Sequence, residues 1–208
     1  MAADRTAEVL DATYTCLSRY GVRRTTVDDI AREMGASRSA VYRYVRGKDD
    51  AVRRLTRRLH DRAVERAEAA AASDAPPAER VHGILAAKLD LVLDLAGRSP
   101  HAVELLDPGA RLCGDICDAF TARLRTLLTE QFQRARAAGR CQRAEEAGAP
   151  HGARRPAAGA TPGQAADICL ALVAGLQTAP DAARLLRPAT DALLPGLLPA
   201  PAPLPHHR

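Results

Sequence analysis

Thirteen residues from Ala36 to Lys48, ASRSAVYRYVRGK, hold Arg38, Arg43, Arg46 and Lys48 beside the phenols of Tyr42 and Tyr44 and the hydroxyls of Ser37 and Ser39. No carboxylate occurs between Glu33 and Asp49. Guanidinium and ammonium groups only donate hydrogen bonds, and like charges crowded on one helix face repel. Such a face is at ease only when an anion meets it. Arginine's planar fork matches a phosphate, or the O6 and N7 acceptors of guanine, in a two-point contact. Tyrosine, serine and threonine hydroxyls satisfy single phosphate oxygens. The chemistry on offer is recognition of a polyanion. The competing reading is an ordinary solvated helix, but such faces usually mix acids among their cations.

Bond-making chemistry finds less support. The chain has no GxSxG, HExxH, P-loop or GxGxxG motif and no paired carboxylates beside a nucleophile, so neither an enzyme nor a cofactor is expected. The five cysteines (16, 113, 117, 141 and 169) are odd in number and lack CxxC spacing, which argues for reduced thiols and against a disulfide framework or zinc site. Cys113 and Cys117 stand at i and i+4, with His101 upstream. Two thiols so placed could bind a soft metal or react with an oxidant, although small buried cysteines are the commoner outcome. No metal site is assigned. Lys88 falls within the apolar stripe Val81, Ile84, Leu85, Val92 and Leu95, either as a cation for an acidic ligand or as a snorkelling or paired lysine. Gln131, in line with Phe120, Leu124 and Leu127, offers an amide to a ligand or to the core. Phe120 and Phe132 are the only phenylalanines, and packing is their default role.

Charge shows where the polyanion would bind. Residues 1–58 carry 13 Lys/Arg against 8 Asp/Glu, whereas residues 59–208 carry 17 of each, so the whole excess of +5 lies in the first quarter of the 208-residue chain. All four tyrosines (14, 20, 42 and 44) lie there too. Basic residues interleaved with aromatics in one segment indicate a nucleic-acid-binding module on a neutral body. No apolar run approaches the ~20 residues of a membrane span, and no secretory signal is recognised, so a cytoplasmic protein is expected.

The elements that must position these residues read as all-α. Leu10, Tyr14 and Leu17 outline a helix over about 5–20, stopped by Gly21. Thr25 or Thr26, followed three residues on by Asp28 or Asp29, resembles a capping box for a short helix with Val27, Ile30, Ala31 and Met34 on one face. Gly35 ends that helix and Ser37 caps the next, which makes a helix-turn-helix. On the third helix, Val41, Tyr44 and Val45 fall on the inner side, with Ser39, Tyr42, Arg43 and Arg46 opposite. A helix over 48–72 follows, then helices over 79–97 and 110–137, with a short segment over 101–107 between them. Residues 139–163 read as a mobile loop, since they hold five glycines and three prolines. Apolar helices over about 164–178 and 181–194 precede an extended Pro-rich tail. That makes about nine helices, divided into a DNA-binding head over 1–50, a helical body over 51–196 and the tail over 197–208.

The stretch TTVDDIAREMGASRSAVYRYVRGKDDAV resembles the N-terminal domain of TetR/AcrR-type transcriptional regulators. The likeness rests on the Thr-Val-x-x-Ile-Ala pattern, the Gly-containing turn, the Ser before the recognition helix, the Tyr-x-x-hydrophobic step and the Lys opening helix four, over about residues 8–55. It implies phosphate contacts by Thr26, Ser39, Tyr42, Tyr44 and Lys48 and base reading by Arg38 and Arg43. The full set of candidate DNA contacts is Thr25, Thr26, Ser37, Arg38, Ser39, Tyr42, Arg43, Tyr44, Arg46 and Lys48. Tyr44 stays open between core and contact. Arg43 and Arg46 depart from the family's usual small or neutral residues. The resemblance further implies a repressor released by a small molecule, whose candidate contacts are Lys88, Cys113, Phe120 and Gln131. It also implies a homodimer joined through the last two helices, by Ile168, Leu172, Gly175 and Leu176, then Leu185, Leu186, Ala189 and Leu193. An architectural protein that binds DNA without sequence preference and a thiol- or metal-sensing regulator are the alternatives.

Overall fold

The computed structural model describes residues 2–99, 101, 112–146 and 159–198. These form eight α-helices with no strand among them: α1 (Ala2–Arg24), α2 (Val27–Glu33), α3 (Arg38–Tyr42), α4 (Lys48–Ala72), α5 (Pro77–Arg98), α6 (Gly114–Glu146), α7 (Pro162–Leu176) and α8 (Ala182–Leu197). The all-α expectation holds. The segment expected over 101–107, apart from His101, and the tail from 199 onward lie outside the described residues. No described helix is long and apolar enough to cross a membrane.

Gly21 does the work expected of it. Its φ of 76° and ψ of 167° belong to a region nearly reserved for glycine, and they break α1 three residues before its end. Beyond it one more helical turn forms, closed by the Thr25 N–H and hydroxyl, which both donate to the Gly21 carbonyl, at 3.2 and 2.8 Å. Thr26 then caps α2. Its hydroxyl accepts from the Asp29 N–H while the Asp29 carboxylate accepts from the Thr26 N–H, a closed capping box. Gly35, at φ 60°, ends α2, and Ser37 caps α3 by accepting from the Ala40 N–H at 3.2 Å.

Three regions depart from the sequence reading, one of them at the end of α8, which runs through Pro195 to Leu197 and into residues read as the extended tail. The third helix is regular only to Tyr42, although the Val45 N–H still reaches the Val41 carbonyl at 3.2 Å and so preserves the expected division into faces. Past this point the chain is tied to the next helix, since Asp50 in the first turn of α4 accepts the Arg46 N–H at 2.9 Å. By contrast, α6 runs on to Glu146, through residues 139–146 that read as loop. That stretch lacks an apolar period, but its Arg, Gln, Ala and Glu residues are strong helix formers. The rest of the expected loop, residues 147–158, lies outside the described residues.

The chain divides into two compact units, Met1–Glu65 with Asp90–Ala122, and Arg66–Leu89 with Arg123–Arg208. In the first, α1 buries two faces. Val9, Ala12 and Cys16 pack with Val27, Ile30, Ala31, Val41, Val45 and Ala51, while Leu10 and Leu17 pack with Val52, Leu55 and Cys113. Burying a leucine or isoleucine side chain contributes about 1.5–3 kcal/mol, so these clusters are the main hold of α2 and α3 on α1. Arg58 pairs with Asp11, and Arg53 holds Asp115 by two hydrogen bonds of 2.8 and 2.6 Å while also donating to the Leu112 carbonyl. In the second unit α4 and α5 approach so closely that a Cβ on Gly83 would come within 2.7 Å of Ala70 Cβ. Bidentate pairs between Arg125 and Asp167 and between Arg187 and Glu79 brace its surface.

The Arg53 hydrogen bonds drop the Asp115 carboxyl from its ordinary 3.8 to about 2. Because the folded value is the depressed one, the stabilisation is complete above the ordinary carboxylate range and fades as pH falls toward 2. Asp115→Asn should therefore melt below the wild type by a constant margin above about pH 5, with the two curves converging near pH 2. Because the pair is exposed, added salt should shrink the margin. Thermal melts across that pH range check this, and a margin that persists at pH 2 would refute it.

Candidate nucleic-acid interface

The head presents its cations on the side away from its core. Val41 and Val45 are buried, while Ser39, Tyr42, Arg43 and Arg46 are exposed. Tyr44 is half-buried and its ring packs against the cluster around Ile30 and Val41, so the core claims the ring. Ser37 and Ser39 share a hydrogen bond of 2.9 Å between their hydroxyls.

The arginines differ in freedom. Arg38 donates to the Tyr42 hydroxyl at 3.2 Å, lies over that ring at 5.6 Å from its centre, and is 3.5 Å from an Asp28 oxygen. The Tyr42 hydrogen bond and then the Asp28 charge push its pKa up, and together they hold the fork in place beside the phenol. Arg43 and Arg46 make no ion pair with a described carboxylate. Lys48 donates to the Arg23 carbonyl at 3.0 Å, which fastens the start of α4 to the end of α1. That leaves its other two N–H donors uncommitted by this bond.

One candidate leaves the set. Thr25 is 1% exposed and its hydroxyl is used on Gly21, so its side chain serves the turn before α2 instead of the surface. Its neighbour Thr26 is exposed and caps α2. The partners of this surface that sequence reading missed are Arg23, which supplies its carbonyl to Lys48, and Asp50, which grips Arg46. Asp50 carried a local signal, an acid four residues before Arg54 in the first turn of a helix, and Arg54 does bond it at 3.0 Å.

Of the candidate effector contacts, Cys113 and Phe120 belong to the first unit and Lys88 and Gln131 to the second. Cys113 is buried, with its thiol 3.4 Å from the Thr56 hydroxyl, and Phe120 meets the His60 ring edge-on at 4.9 Å. Lys88 is half-buried. Gln131 is fully buried, and both ends of its amide are engaged: it accepts from Arg80 at 2.8 Å and donates to the Ala71 carbonyl at 3.3 Å. It is a satisfied core amide. Cys117 is also buried, and among the described residues no cluster of three or more His, Cys, Asp or Glu suits a metal ion. Burial pushes the Cys16 thiol up to about 11 and the Cys169 thiol up to about 12, which keeps both protonated and unreactive.

On α7 and α8, Ile168, Gly175 and Leu185 are exposed and Leu172, Leu176, Ala189 and Leu193 partly so. Leu186 is the correction here. It is buried within its own unit with Ala182, Thr190 and Leu194, one helix position away from the exposed Leu185. Nothing lies within 4 Å of a Cβ built on Gly175.

Residues 9–55 match the model of the bacterial regulatory proteins of the tetR family. No curated protein is similar enough in sequence to match. Among solved structures, a Pseudomonas aeruginosa PAO1 protein assigned as a transcriptional regulator is 22% identical, with a TM-score of 0.69 over 95% of this chain and 91% of that one. SmeT in complex with triclosan is 22% identical at TM-score 0.65, over 98% of this chain and 100% of the other. AibR, solved with isovaleryl coenzyme A and operator DNA, is 19% identical at TM-score 0.61, over 92% and 99%. At these identities the likeness is one of fold, and it spans nearly the full length of both chains. Over residues 9–55 the head is thus similar to the bacterial regulatory proteins of the tetR family.

Proposed function

We propose that the chain is a ligand-responsive transcriptional repressor that binds a palindromic operator as a homodimer and is released by a small molecule. The observation that carries this reading is the exposed, acid-free row Ser39, Tyr42, Arg43 and Arg46 on a segment whose opposite side is locked into the core through Val41 and Val45. A rigid backing and a cationic front are what insertion into a major groove requires. Arg43 and Arg38 read base edges, while Thr26, Ser39, Tyr42, Arg46 and Lys48 take phosphates. Ser37 serves chiefly as the cap, and Tyr44 contributes its hydroxyl at the rim. Residues 1–50 form the reading head and residues 51–196 the body that senses and dimerises.

The open α7–α8 face with Ile168 and Leu185 supports dimerisation, and the family resemblance supports an effector in the body. SmeT and AibR, with triclosan and an acyl coenzyme A, are precedents for such ligands in this fold. Selection of bound duplexes from a random library by the full chain tests the reading. It should enrich a two-fold symmetric sequence with half-sites about one helical turn (~34–36 Å) or more apart. Enrichment of no sequence would leave only non-specific, salt-governed binding and end the proposal.

A further inference from the structure

Where positive charge is left unneutralised in the head points to a second anion-binding surface outside the recognition segment. Seven of the thirteen cations in residues 1–58 are matched by a carboxylate within 4 Å: Arg5 by Glu8, Arg19 by Glu33, Arg32 by Asp29, Arg38 by Asp28, Arg53 by Asp115, Arg54 by Asp50 and Arg58 by Asp11. The six without such a partner among the described residues are Arg23, Arg24, Arg43, Arg46, Lys48 and Arg57. Five of these six fall in two short stretches that one contact joins. Arg43, Arg46 and Lys48 follow one another along the chain, and the Lys48 ammonium lies 3.0 Å from the carbonyl of Arg23, which is followed by Arg24. Arg57 is nine residues further along α4 and half a rotation round it, so it lies apart.

Arg23 and Arg24 have no evident task within the fold. Both are exposed. They follow the break at Gly21, so they do not sit on the last carbonyls of the regular part of α1, where a cation would be stabilised by the helix dipole. The carbonyl of Arg23 is already served by Lys48. Tyr20, 45% exposed, adds a phenol just before the break. Two exposed guanidiniums and a phenol, beside the carbonyl that Lys48 ties to the reading segment, have the composition of a phosphate contact.

We infer that Arg23 and Arg24 bind a further pair of DNA backbone phosphates, extending each head's grip beyond the groove read by α3. This inference rests on the DNA-binding reading above, and it makes the post-Gly21 turn an affinity element without sequence preference. Each phosphate neutralised contributes about 0.9 to the slope of log affinity against log salt. The test compares wild type, Arg23→Gln/Arg24→Gln and Arg57→Gln as full chains. Each is titrated with the library-selected duplex and a scrambled duplex of equal length from 50 to 200 mM salt, alongside thermal melts. The double variant should have a slope shallower by about 1.8 on both duplexes, so that the fourfold salt rise weakens the wild type about 12-fold more than the variant. Arg57→Gln should keep the wild-type slope. A double variant with the wild-type slope, or one altered only in melting temperature, would overturn the inference, as would an equal loss per charge in Arg57→Gln. If the wild type fails to distinguish the two duplexes, the repressor reading falls, while the slopes still decide whether these arginines touch phosphate.

Discussion

The Ile168→Asp/Leu185→Asp variant is expected to sediment as a monomer and to bind a full operator duplex about 10²–10⁴-fold more weakly than the wild type. The two side chains are 40% and 42% exposed and stand on neighbouring helices that pack on each other. In the proposed dimer they would be desolvated, and a carboxylate taken out of water without a partner is strongly unfavourable. The fold itself should survive, because the residues that pack α7 and α8 into their own unit, such as Cys169, Val173, Leu186 and Leu194, are untouched. The loss on DNA then follows from linkage. Two heads held together bind the second half-site at high effective concentration, and separate heads do not. Sedimentation, circular dichroism and binding to an isolated half-site distinguish the causes: mass halves, helicity stays and half-site affinity is unchanged. A variant that keeps its dimeric mass would remove this face from the interface.

Arg43→Ala should weaken operator binding by about 1–3 kcal/mol and relax preference at one base position, leaving the others intact. Arg43 is exposed and free of ion pairs among the described residues, so its removal disturbs nothing in the unbound head. It can also meet a base without first surrendering a partner. Arg38 is differently placed, since its fork leans on Tyr42 and shares Asp28. Binding of the variant to a panel of single-base operator changes is the check. If the variant ranks that panel in the wild-type order at every position, Arg43 does not read a base.

Much of the head could be read in the sequence because its determinants are local. Thr26 and Asp29 lie three residues apart, Ser37 sits three before the N–H it caps, and Val41 and Val45 are one turn apart. In each case the spacing alone dictates the partner. What escaped was set by distance or by a register too fine for composition. The Arg53–Asp115 clamp joins residues 62 apart, so no local pattern announces it. Leu185 and Leu186 are equally apolar, and only packing decides which of them turns inward. Thr25 and Thr26 are chemically the same, and the backbone at Gly21 decides that one is buried and the other caps. Gln131 lies on an apolar stripe either way, and its role as a core amide depends on Arg80 reaching it from another helix. The extension of α6 to Glu146 went unread for a different reason: a helix can persist on propensity after its apolar stripe has ended.

The first turn of α4 holds the head at two places, Lys48 on the last turn of α1 and Asp50 on the last residues before α4 begins. An element gripped at both its entry and its exit moves as a block. A ligand that displaces α4 would therefore carry the whole head with it and leave the orientation of Arg43 within the head unaltered. In a dimer this alters the separation between two reading heads but not the letters each one recognises. In the proposed repressor, release would then depend on half-site spacing: an operator lengthened or shortened by a base pair would favour the ligand-bound form, with the same bases still preferred in each half.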